Sequence, residues 1–295
     1  MVMFRRFAQS RVGLGGAVLL ACLGVSTLAC TDDGDEGEEA AAETDEDEGD
    51  DADDSMADSG DGLGAGSCAD VCGTPECGDC PTATTVEAFG VTIDATEVSN
   101  EQYAQFLAVD LDASVLPDGC GWKSFFEPEG WSADLPGGQP VVGVDWCDAM
   151  VFCAWAGKEL CGAVGGGGAD VGVAADPINH AWYRACSAEG ANEFPYGASY
   201  DPVACNGDGS GQDAMLAGGT LSSCQGGVDG LFDMSGNAWE WTNACTAAGG
   251  DAGTECRRRG GSRYSGEDNL RCSVNSLRPR GLRDNGVGFR CCGGE

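Results

Sequence analysis

The sequence predicts one α+β domain with little regular secondary structure, rich in disulfides and preceded by an export signal and an acidic linker. Three observations support this prediction. The 295-residue chain contains 18 cysteines and 49 glycines. Its first 29 residues have the composition of a signal peptide. Beyond residue 188, short apolar pieces alternate with turn residues, so few stretches are long enough for a helix.

The N-terminus predicts export. Three arginines precede an apolar run over residues 12–25, which is too short to cross a bilayer comfortably and ends at small residues. The stretch Thr27-Leu28-Ala29-Cys30 is similar to the lipobox of bacterial lipoproteins, although the usual leucine stands one position earlier. We therefore expect residues 1–29 to be removed and Cys30 to be acylated, anchoring the protein in the periplasm or at the cell surface. A soluble secreted protein is the alternative.

Residues 31–61 predict a disordered spacer. They contain 17 Asp or Glu and no Lys, Arg or aromatic residue, so no burial can offset the entropy of ordering them. Together with residues 62–67, this linker would reach on the order of 35 Å as a flexible coil. The net charge of the chain is -34, which argues against nucleic acid or an anionic membrane surface as a partner.

The cysteines of an exported chain predict disulfides rather than zinc ligands. Without Cys22, which leaves with the signal peptide, and Cys30, sixteen remain and permit eight bridges. A small segment, residues 68–85, holds four of them at a spacing that resembles a metal knuckle: Cys68, Cys72, Cys77 and Cys80. The oxidising compartment favours two local disulfides there instead.

We place the main domain at residues 86–295 and expect its first elements in a strand–helix order. Residues 89–93 alternate in polarity and predict the first strand. Ser99 and Gln102 form a capping box ahead of apolar residues at helical spacing, which predicts a short amphipathic helix.

Two further helices are predicted in the middle of the chain. A strand over residues 141–144 leads into a helix that Asp145 can cap and Gly157 can end. A loop rich in glycine and alanine follows at residues 161–177, and a third short helix is predicted over residues 178–188.

The most informative run is Gly230-Leu-Phe-Asp-Met-Ser-Gly-Asn-Ala-Trp-Glu-Trp-Thr242. Trp239 and Trp241 flank Glu240 at alternate positions, which predicts a strand with one buried face. Gly236 and Asn237 supply a tight turn just before it.

This run resembles the signature of the formylglycine-generating enzyme, or sulfatase-modifying-factor, family. The resemblance covers about residues 86–292 and implies one compact C-type-lectin-like domain that is commonly stabilised by calcium. Other family motifs follow in the same order: Val144-Asp-Trp-Cys-Asp-Ala149, Trp155-Ala-Gly-Lys158, Trp182-Tyr-Arg-Ala185, Phe194-Pro-Tyr-Gly197, Arg259-Gly-Gly-Ser262 and Gly288-Phe-Arg-Cys291.

The resemblance implies a calcium site in this run. Asp233 and Glu240 would give side-chain oxygens, and Gly236 and Ala238 backbone carbonyls, which suits a hard cation. Asn206 would belong to a second calcium site. The alternative is a turn in which Asp233 accepts hydrogen bonds from backbone amides.

The resemblance also implies two disulfides, Cys153–Cys291 and Cys186–Cys272. Each would close a long loop and so constrain the unfolded chain strongly. Neither pair would then be available for catalysis.

Active members of this family oxidise a cysteine of a sulfatase to formylglycine with copper(I), which two thiolates hold shortly after the Gly-Gly-Ser motif. Counted without a gap from Gly260-Gly261-Ser262, those positions fall on Ser265 and Leu270. A hydroxyl and an alkyl group cannot replace two thiolates for a soft ion, so copper is not expected. A shifted alignment would use Cys256 and Cys272, but these two flank the motif.

Iron-dependent catalysis and nucleophilic catalysis both need residues that this sequence lacks. A related branch of the fold uses non-haem iron with histidine ligands, but the chain has one histidine, His180, which we expect to be a surface or partly packed side chain. The same shortage argues against a serine or cysteine nucleophile. Nine arginines lie between residues 257 and 290. They could serve an anionic ligand, but we expect them to pair with the domain's own carboxylates.

The sequence therefore predicts an exported lipoprotein with a non-catalytic binding domain. Its ligand would be a protein, a peptide or a glycan, calcium would be its cofactor, and the lipid anchor its sole contact with the membrane. The alternatives are an oxidoreductase that converts a protein cysteine to formylglycine, and a calcium-dependent carbohydrate-binding module. The second of these rests on fold analogy alone.

Overall fold

A computed structural model describes residues 63–293. All of the described residues belong to one compact unit of the chain. The predicted signal peptide, Cys30 and the acidic residues 31–61 lie outside the described residues. Between residues 63 and 293, no helix combines the length and apolar character that a membrane span requires.

Short helices and strands are separated by long irregular stretches, which confirms the predicted α+β class with little regular structure. The strands form two four-stranded sheets, ordered β1-β2-β8-β3 and β6-β5-β4-β7. In the described residues the elements are β1 (Thr85–Glu87), β2 (Thr92–Asp94), α1 (Asn100–Leu107), α2 (Trp146–Trp155), β3 (Glu159–Leu160), α3 (Ala181–Cys186), β4 (Trp239–Cys245), β5 (Glu255–Arg259), β6 (Ser276–Pro279), β7 (Val287–Phe289) and β8 (Cys291–Cys292), with 3-10 turns at Ala113–Val115 and Glu267–Asn269.

The first sheet begins with a hairpin. β1 and β2 are antiparallel, and the chain turns through Phe89 and Gly90, both of which have positive φ. Ala88 and Val91 close this two-residue turn by exchanging backbone hydrogen bonds of 2.8 and 3.1 Å. The strand predicted over residues 89–93 is therefore wrong in its first half, because the sequence places the turn itself there.

The second sheet has β4 at its centre. β4 runs antiparallel to β5 and parallel to β7. Trp239, Glu240 and Trp241 are all buried, so the prediction of one buried face is wrong. Trp241 donates to the Val144 carbonyl on one side at 3.0 Å, and Trp182 of α3 covers Glu240 on the other.

The predicted capping box of α1 and the predicted N-cap of α2 are both present. Ser99 accepts from the Gln102 amide at 3.2 Å, and Gln102 accepts in return from the Ser99 amide. Asp145 caps α2 in the same reciprocal way with Asp148. The strand predicted over residues 141–144 is absent, because Gly143 with φ +78 breaks the extended course of the chain.

Helices α1 and α2 pack around an aromatic core. Tyr103 stacks on Phe152 with ring centroids 5.6 Å apart, and Phe152 meets Phe289 of β7 at 5.4 Å. The third helix, α3, is shorter than the predicted 178–188, since His180 is its N-cap and the chain turns to positive φ at Ala188 and Glu189.

All sixteen cysteines of the described residues form disulfides. The segment 68–85 holds two local bridges, which confirms the disulfide interpretation and contradicts the metal knuckle. Its Cys72 amide donates to the Trp155 carbonyl at 2.7 Å, so the segment is fastened to the end of α2. The pairs are Cys68–Cys77, Cys72–Cys80, Cys120–Cys147, Cys153–Cys291, Cys161–Cys292, Cys186–Cys272, Cys205–Cys224 and Cys245–Cys256.

Candidate functional site

The signature run folds into a curved loop that leads into β4. Asp233, Gly236 and Asn237 all have positive φ, which bends the chain sharply within five residues. The Gly236 amide donates to the Gly260 carbonyl at 2.8 Å, and the Asn237 amide to the Asn206 carbonyl at 2.8 Å. A side chain at Gly236 would overlap that Asn206 carbonyl, so the close approach requires glycine.

Glu240 is held in a buried ion pair with Arg290. Arg290 Nε donates to Oε2 at 2.7 Å, and Nη2 donates to Oε1 at 2.8 Å. Trp182 Nε1 also donates to Oε2, at 2.7 Å. Burial opposes the charge of Arg290, but attraction to Glu240 outweighs it and raises the pKa of the guanidinium. Both carboxylate oxygens of Glu240 therefore have cationic or polar partners.

Arg290 also joins three parts of the fold. Its Nη1 donates to the Asp94 carbonyl in β2 at 3.0 Å, and its Nη2 to the Phe232 carbonyl at 2.9 Å. The guanidinium thus links β2, the signature loop and β4, in the fork geometry that suits arginine.

Two more carboxylates lie at this loop. Asp233 Oδ2 accepts from the Gly219 amide at 2.6 Å, as the turn alternative predicts, and burial raises the pKa of Asp233 to about 6. Glu97 accepts from Asn237 Nδ2 at 3.2 Å through one oxygen, while its Oε2 has no hydrogen-bond partner among the described residues. Burial, and then the charge of Asp233, raise the pKa of Glu97 well above its usual range.

The predicted calcium ligands do not fit a calcium ion in this arrangement. Calcium needs several oxygens that are free to converge, but both oxygens of Glu240 accept from Arg290 and Trp182. Within residues 63–293, no three side chains of His, Cys, Asp or Glu group closely enough to hold a metal ion. Without Glu240, the predicted set keeps one carboxylate, Asp233, and the backbone carbonyls of Gly236 and Ala238.

Asn206, the candidate for a second calcium site, is a buried hydrogen-bonding residue. Its Nδ2 donates to the Ala214 carbonyl at 3.1 Å and to Asn237 Oδ1 at 3.0 Å. Its Oδ1 accepts from the Ser210 hydroxyl at 3.3 Å. These contacts tie two loops together.

The two positions that the sequence count predicts for copper thiolates hold a serine and a buried leucine. Ser265 Oγ accepts from the Ser262 amide at 3.0 Å. A Cβ on Gly261 would lie 3.0 Å from both Ser265 Cβ and Leu270 Cδ2, and one on Gly207 would lie 2.6 Å from Leu270 Cδ1. Ser265 and Leu270 therefore both lie against Gly261, and a methyl group of Leu270 also lies against Gly207.

The shifted copper pair is contradicted. Cys256 is bonded to Cys245, and Cys272 to Cys186. Both cysteines are fully buried, so neither offers a thiolate. The Cys186–Cys272 and Cys153–Cys291 bridges implied by the family resemblance are both present.

His180 is buried, so the expectation of a surface or partly packed side chain is wrong. Its Nε2 has no hydrogen-bond partner within the described part of the chain. Burial, and then the charges of Arg259 and Arg257, lower the pKa of the imidazole. It is the only histidine of the sequence, so it has no imidazole partner for iron.

Six of the nine arginines between residues 257 and 290 fall into two groups. Three pair with carboxylates as expected: Arg290 with Glu240, Arg283 with Asp145 and Asp148, and Arg271 with Glu193, Glu267 and Asp268. Three others are buried and donate to backbone carbonyls instead: Arg257 to Val171 and Val173, Arg259 to Ala174, Cys272 and Val274, and Arg280 to Ala247 and its neighbours. For these three arginines the prediction of carboxylate partners is wrong, because their guanidinium groups donate to backbone carbonyls of neighbouring loops.

Sequence reasoning missed Glu97 and Arg290 as partners of the signature run. Glu97 stands two positions before the N-cap of α1, directly before the apolar Val98 and two residues after Ala95. An acidic residue among buried neighbours is the signal that could have indicated a buried carboxylate. Arg290 lies 50 residues from Glu240, and no local pattern joins them.

Comparison with known proteins identifies the family of the chain. A model of the sulfatase-modifying factor enzyme 1-like domain matches residues 64–293. The chain is 24% identical over 198 residues to the formylglycine-generating enzyme of Bos taurus, covering 59% of this chain and 48% of that protein. It is 28% identical over 172 residues to the inactive C-alpha-formylglycine-generating enzyme 2 of Bos taurus, covering 52% of this chain and 50% of that protein. The chain thus spans about half the length of these curated relatives.

Solved structures resemble the chain more distantly. CarF is 19% identical with a TM-score of 0.45, over 72% of this chain and 94% of that one. PvdO from Pseudomonas aeruginosa is 19% identical with a TM-score of 0.46, over 68% of this chain and 79% of that one. The match of the domain model over residues 64–293 shows that the chain belongs to the sulfatase-modifying-factor, or formylglycine-generating-enzyme, family.

Proposed function

We propose that this protein is a non-catalytic member of the family, which acts by binding a partner rather than by oxidising a cysteine. The observation that carries the proposal is the state of its sulfur atoms. Every cysteine between residues 68 and 292 forms a disulfide, and the two positions that the sequence count predicts for copper thiolates hold Ser265 and Leu270.

The chemistry of copper(I) supports the proposal. A soft ion of this kind selects thiolate or thioether ligands, and a serine hydroxyl is a hard donor that stays protonated at neutral pH. Leu270 is buried against Gly207 and Gly261, so an apolar side chain stands at the position counted for the second thiolate. A relative named as inactive, the Bos taurus protein described above, gives the family a precedent for such a domain.

The test compares the full chain with the variant Ser265→Cys/Leu270→Cys. Copper(I) binding is measured by competition with a chromogenic chelator, and conversion is measured on a peptide containing Cys-x-Pro-x-Arg. We expect no stoichiometric copper and no product from the wild-type protein. The double variant, whose two new cysteines both lie against Gly261, should bind about one copper(I). Product formation by the wild-type protein would overturn the proposal.

We also propose that the protein is exported and held at a bacterial membrane through acylated Cys30. The lipobox-like stretch ending at Cys30 supports this. Metabolic labelling with a radioactive fatty acid tests it, with Cys30→Ser as the matched control. Label should enter the wild-type protein and not the variant, and equal labelling would contradict the anchor.

A further inference from the structure

A polar cavity of about 530 Å³ lies between the β1–β2 hairpin, the first turns of α1 and the loop over residues 218–232. We call it the Phe232 cavity. Ser265 and Leu270 are not among its lining residues, so it does not rest on the proposed function. Its wall combines neutral hydrogen-bonding side chains with one aromatic ring: Thr82, Thr84, Thr96, Ser99, Gln102, Gln105 and Phe232.

The floor of the Phe232 cavity is fixed by hydrogen bonds. The Phe232 amide donates to the Ala95 carbonyl at 2.8 Å, and its carbonyl accepts from buried Arg290 at 2.9 Å. The neighbouring Gly219 amide is held by Asp233 at 2.6 Å. The backbone on both sides of the ring is therefore set before any ligand arrives, which lowers the entropic cost of binding.

Glycines keep the ring of Phe232 open to the cavity. A Cβ on Gly219 would lie 3.6 Å from the ring, in contact with it. A Cβ on Gly218 would lie 2.8 Å from Thr96 Cβ. A side chain at Gly219 would therefore pack against the ring, and one at Gly218 would displace Thr96. The half-buried ring is thus left as an apolar platform beside hydroxyl and amide groups.

Several polar side chains in the wall have unused hydrogen-bonding capacity. Ser99 and Gln102 are engaged in the cap of α1. In contrast, Thr84, Gln105 and Glu101 are exposed, and their side chains make no hydrogen bond within residues 63–293. A threonine hydroxyl offers one donor and two acceptors, and a glutamine amide offers two donors and an acceptor oxygen.

The charges of the lining residues define the ligand class. No Lys or Arg lines the cavity, its one carboxylate is Glu101, and the chain carries a net charge of -34. An anionic ligand would be repelled by Glu101 and would have no cationic side chain to pair with. The apolar wall, chiefly Val86, Ala95 and Phe232, is too small for a wholly apolar ligand. A ring with hydroxyl groups at its edge and C–H groups on its face fits both kinds of wall.

We propose that the Phe232 cavity binds a neutral saccharide without a metal ion. The ring of Phe232 packs against the C–H face of the sugar, and Thr84 and Gln105 hydrogen-bond its hydroxyl groups. The volume lies in the usual range of small-ligand pockets, about 300–1,000 Å³, which suits an oligosaccharide segment rather than a single ring.

The test measures binding of the full chain to defined trisaccharides by titration calorimetry and by ligand-observed NMR. The neutral probes are maltotriose, cellotriose and triacetylchitotriose, and the anionic probe is trigalacturonic acid. We expect binding to at least one neutral probe and none to the anionic one. The affinity should be the same in EDTA and in calcium.

Variants locate the site. Thr84→Val and Gln105→Ala change exposed side chains that make no internal hydrogen bond, and each should weaken binding about fivefold or more, as expected for one lost hydrogen bond. Phe232→Leu removes the aromatic face and should weaken binding about tenfold. Thr85→Val is the matched control, because exposed Thr85 lies outside the lining, and its affinity should equal that of the wild-type protein.

Four results would overturn this proposal: no binding to any neutral probe, equal binding to trigalacturonic acid, loss of binding in EDTA, or equal effects of Thr84→Val and Thr85→Val. None of them bears on the copper positions. Conversely, peptide oxidation by the wild-type protein would overturn the proposed function and leave the Phe232 cavity untouched.

Discussion

Replacing Glu240 with glutamine removes one charge from the buried pair that holds the signature loop. Both Glu240 and Arg290 are fully buried, with side-chain exposures of 0%. Arg290 would keep its charge but lose the carboxylate that accepts two of its hydrogen bonds. The glutamine amide would also bring a second donor toward Arg290 Nε or Trp182 Nε1. Breaking one partner of a buried pair costs about 3–5 kcal/mol, and we expect this loss in the free energy of unfolding.

Urea unfolding with the disulfides intact, followed by tryptophan fluorescence, measures this loss. The matched control is Glu189→Gln, which breaks the more exposed pair with Arg184 and should cost about 1 kcal/mol or less. If Glu240→Gln lay within about 1 kcal/mol of the wild-type protein, the buried pair would not hold the loop and our reasoning would be refuted.

The same experiment decides between arginine and calcium as the cation at Glu240. With Arg290 on both carboxylate oxygens, the wild-type unfolding midpoint should be equal in EDTA and in millimolar calcium. A midpoint that rises with calcium in the wild-type protein, and not in Glu240→Gln, would make Glu240 a calcium ligand after all, since a ligand of the native state alone stabilises it.

Two further predictions concern pH and backbone conformation. Burial raises the pKa of Asp148 to about 7 and of Asp233 to about 6 in the native state. In the unfolded state these carboxyl groups ionise at about pH 4, so above that pH the native state binds more protons than the unfolded state. Stability should therefore fall from about pH 4 to about pH 7; urea unfolding across this range that showed the opposite trend would contradict it. Gly236→Ala should cost well over the roughly 1 kcal/mol of a strained left-handed residue, because its Cβ would overlap Asn206. Gly157→Ala, with positive φ but open space, is the control, and equal losses in thermal unfolding would refute the overlap.

Local signals predicted α1, α2 and the two bridges within residues 68–85, but they made α3, observed at Ala181–Cys186, too long at both ends. The start of α1 was marked by Ser99 with Gln102, because a capping box depends on residues three positions apart. The start and end of α2 were marked by Asp145 and Gly157, which are typical cap residues. The local pairs within residues 68–85 followed from compartment and spacing. The long-range bridges Cys153–Cys291 and Cys186–Cys272 required the family resemblance.

Contacts between distant segments could not be predicted from local pattern. Residues 141–144 have the composition of a strand, but Gly143 takes positive φ to meet Asp284 and Val287. The alternation of residues around Glu240 indicated a strand with one buried face. No local signal shows that α3 covers the second face of this strand. The same limit hid the partner of Glu240, since Arg290 arrives through the parallel pairing of β7 with β4.

The central claim is that this domain has no thiolate with which to bind copper, and mapping its free thiols tests it most directly. The native protein is unfolded without reductant in the presence of an alkylating reagent, digested, and examined by mass spectrometry. We predict that none of the sixteen cysteines from Cys68 to Cys292 carries the label, since all are paired in eight disulfides. Stoichiometric labelling of Cys256 or Cys272 would contradict the account.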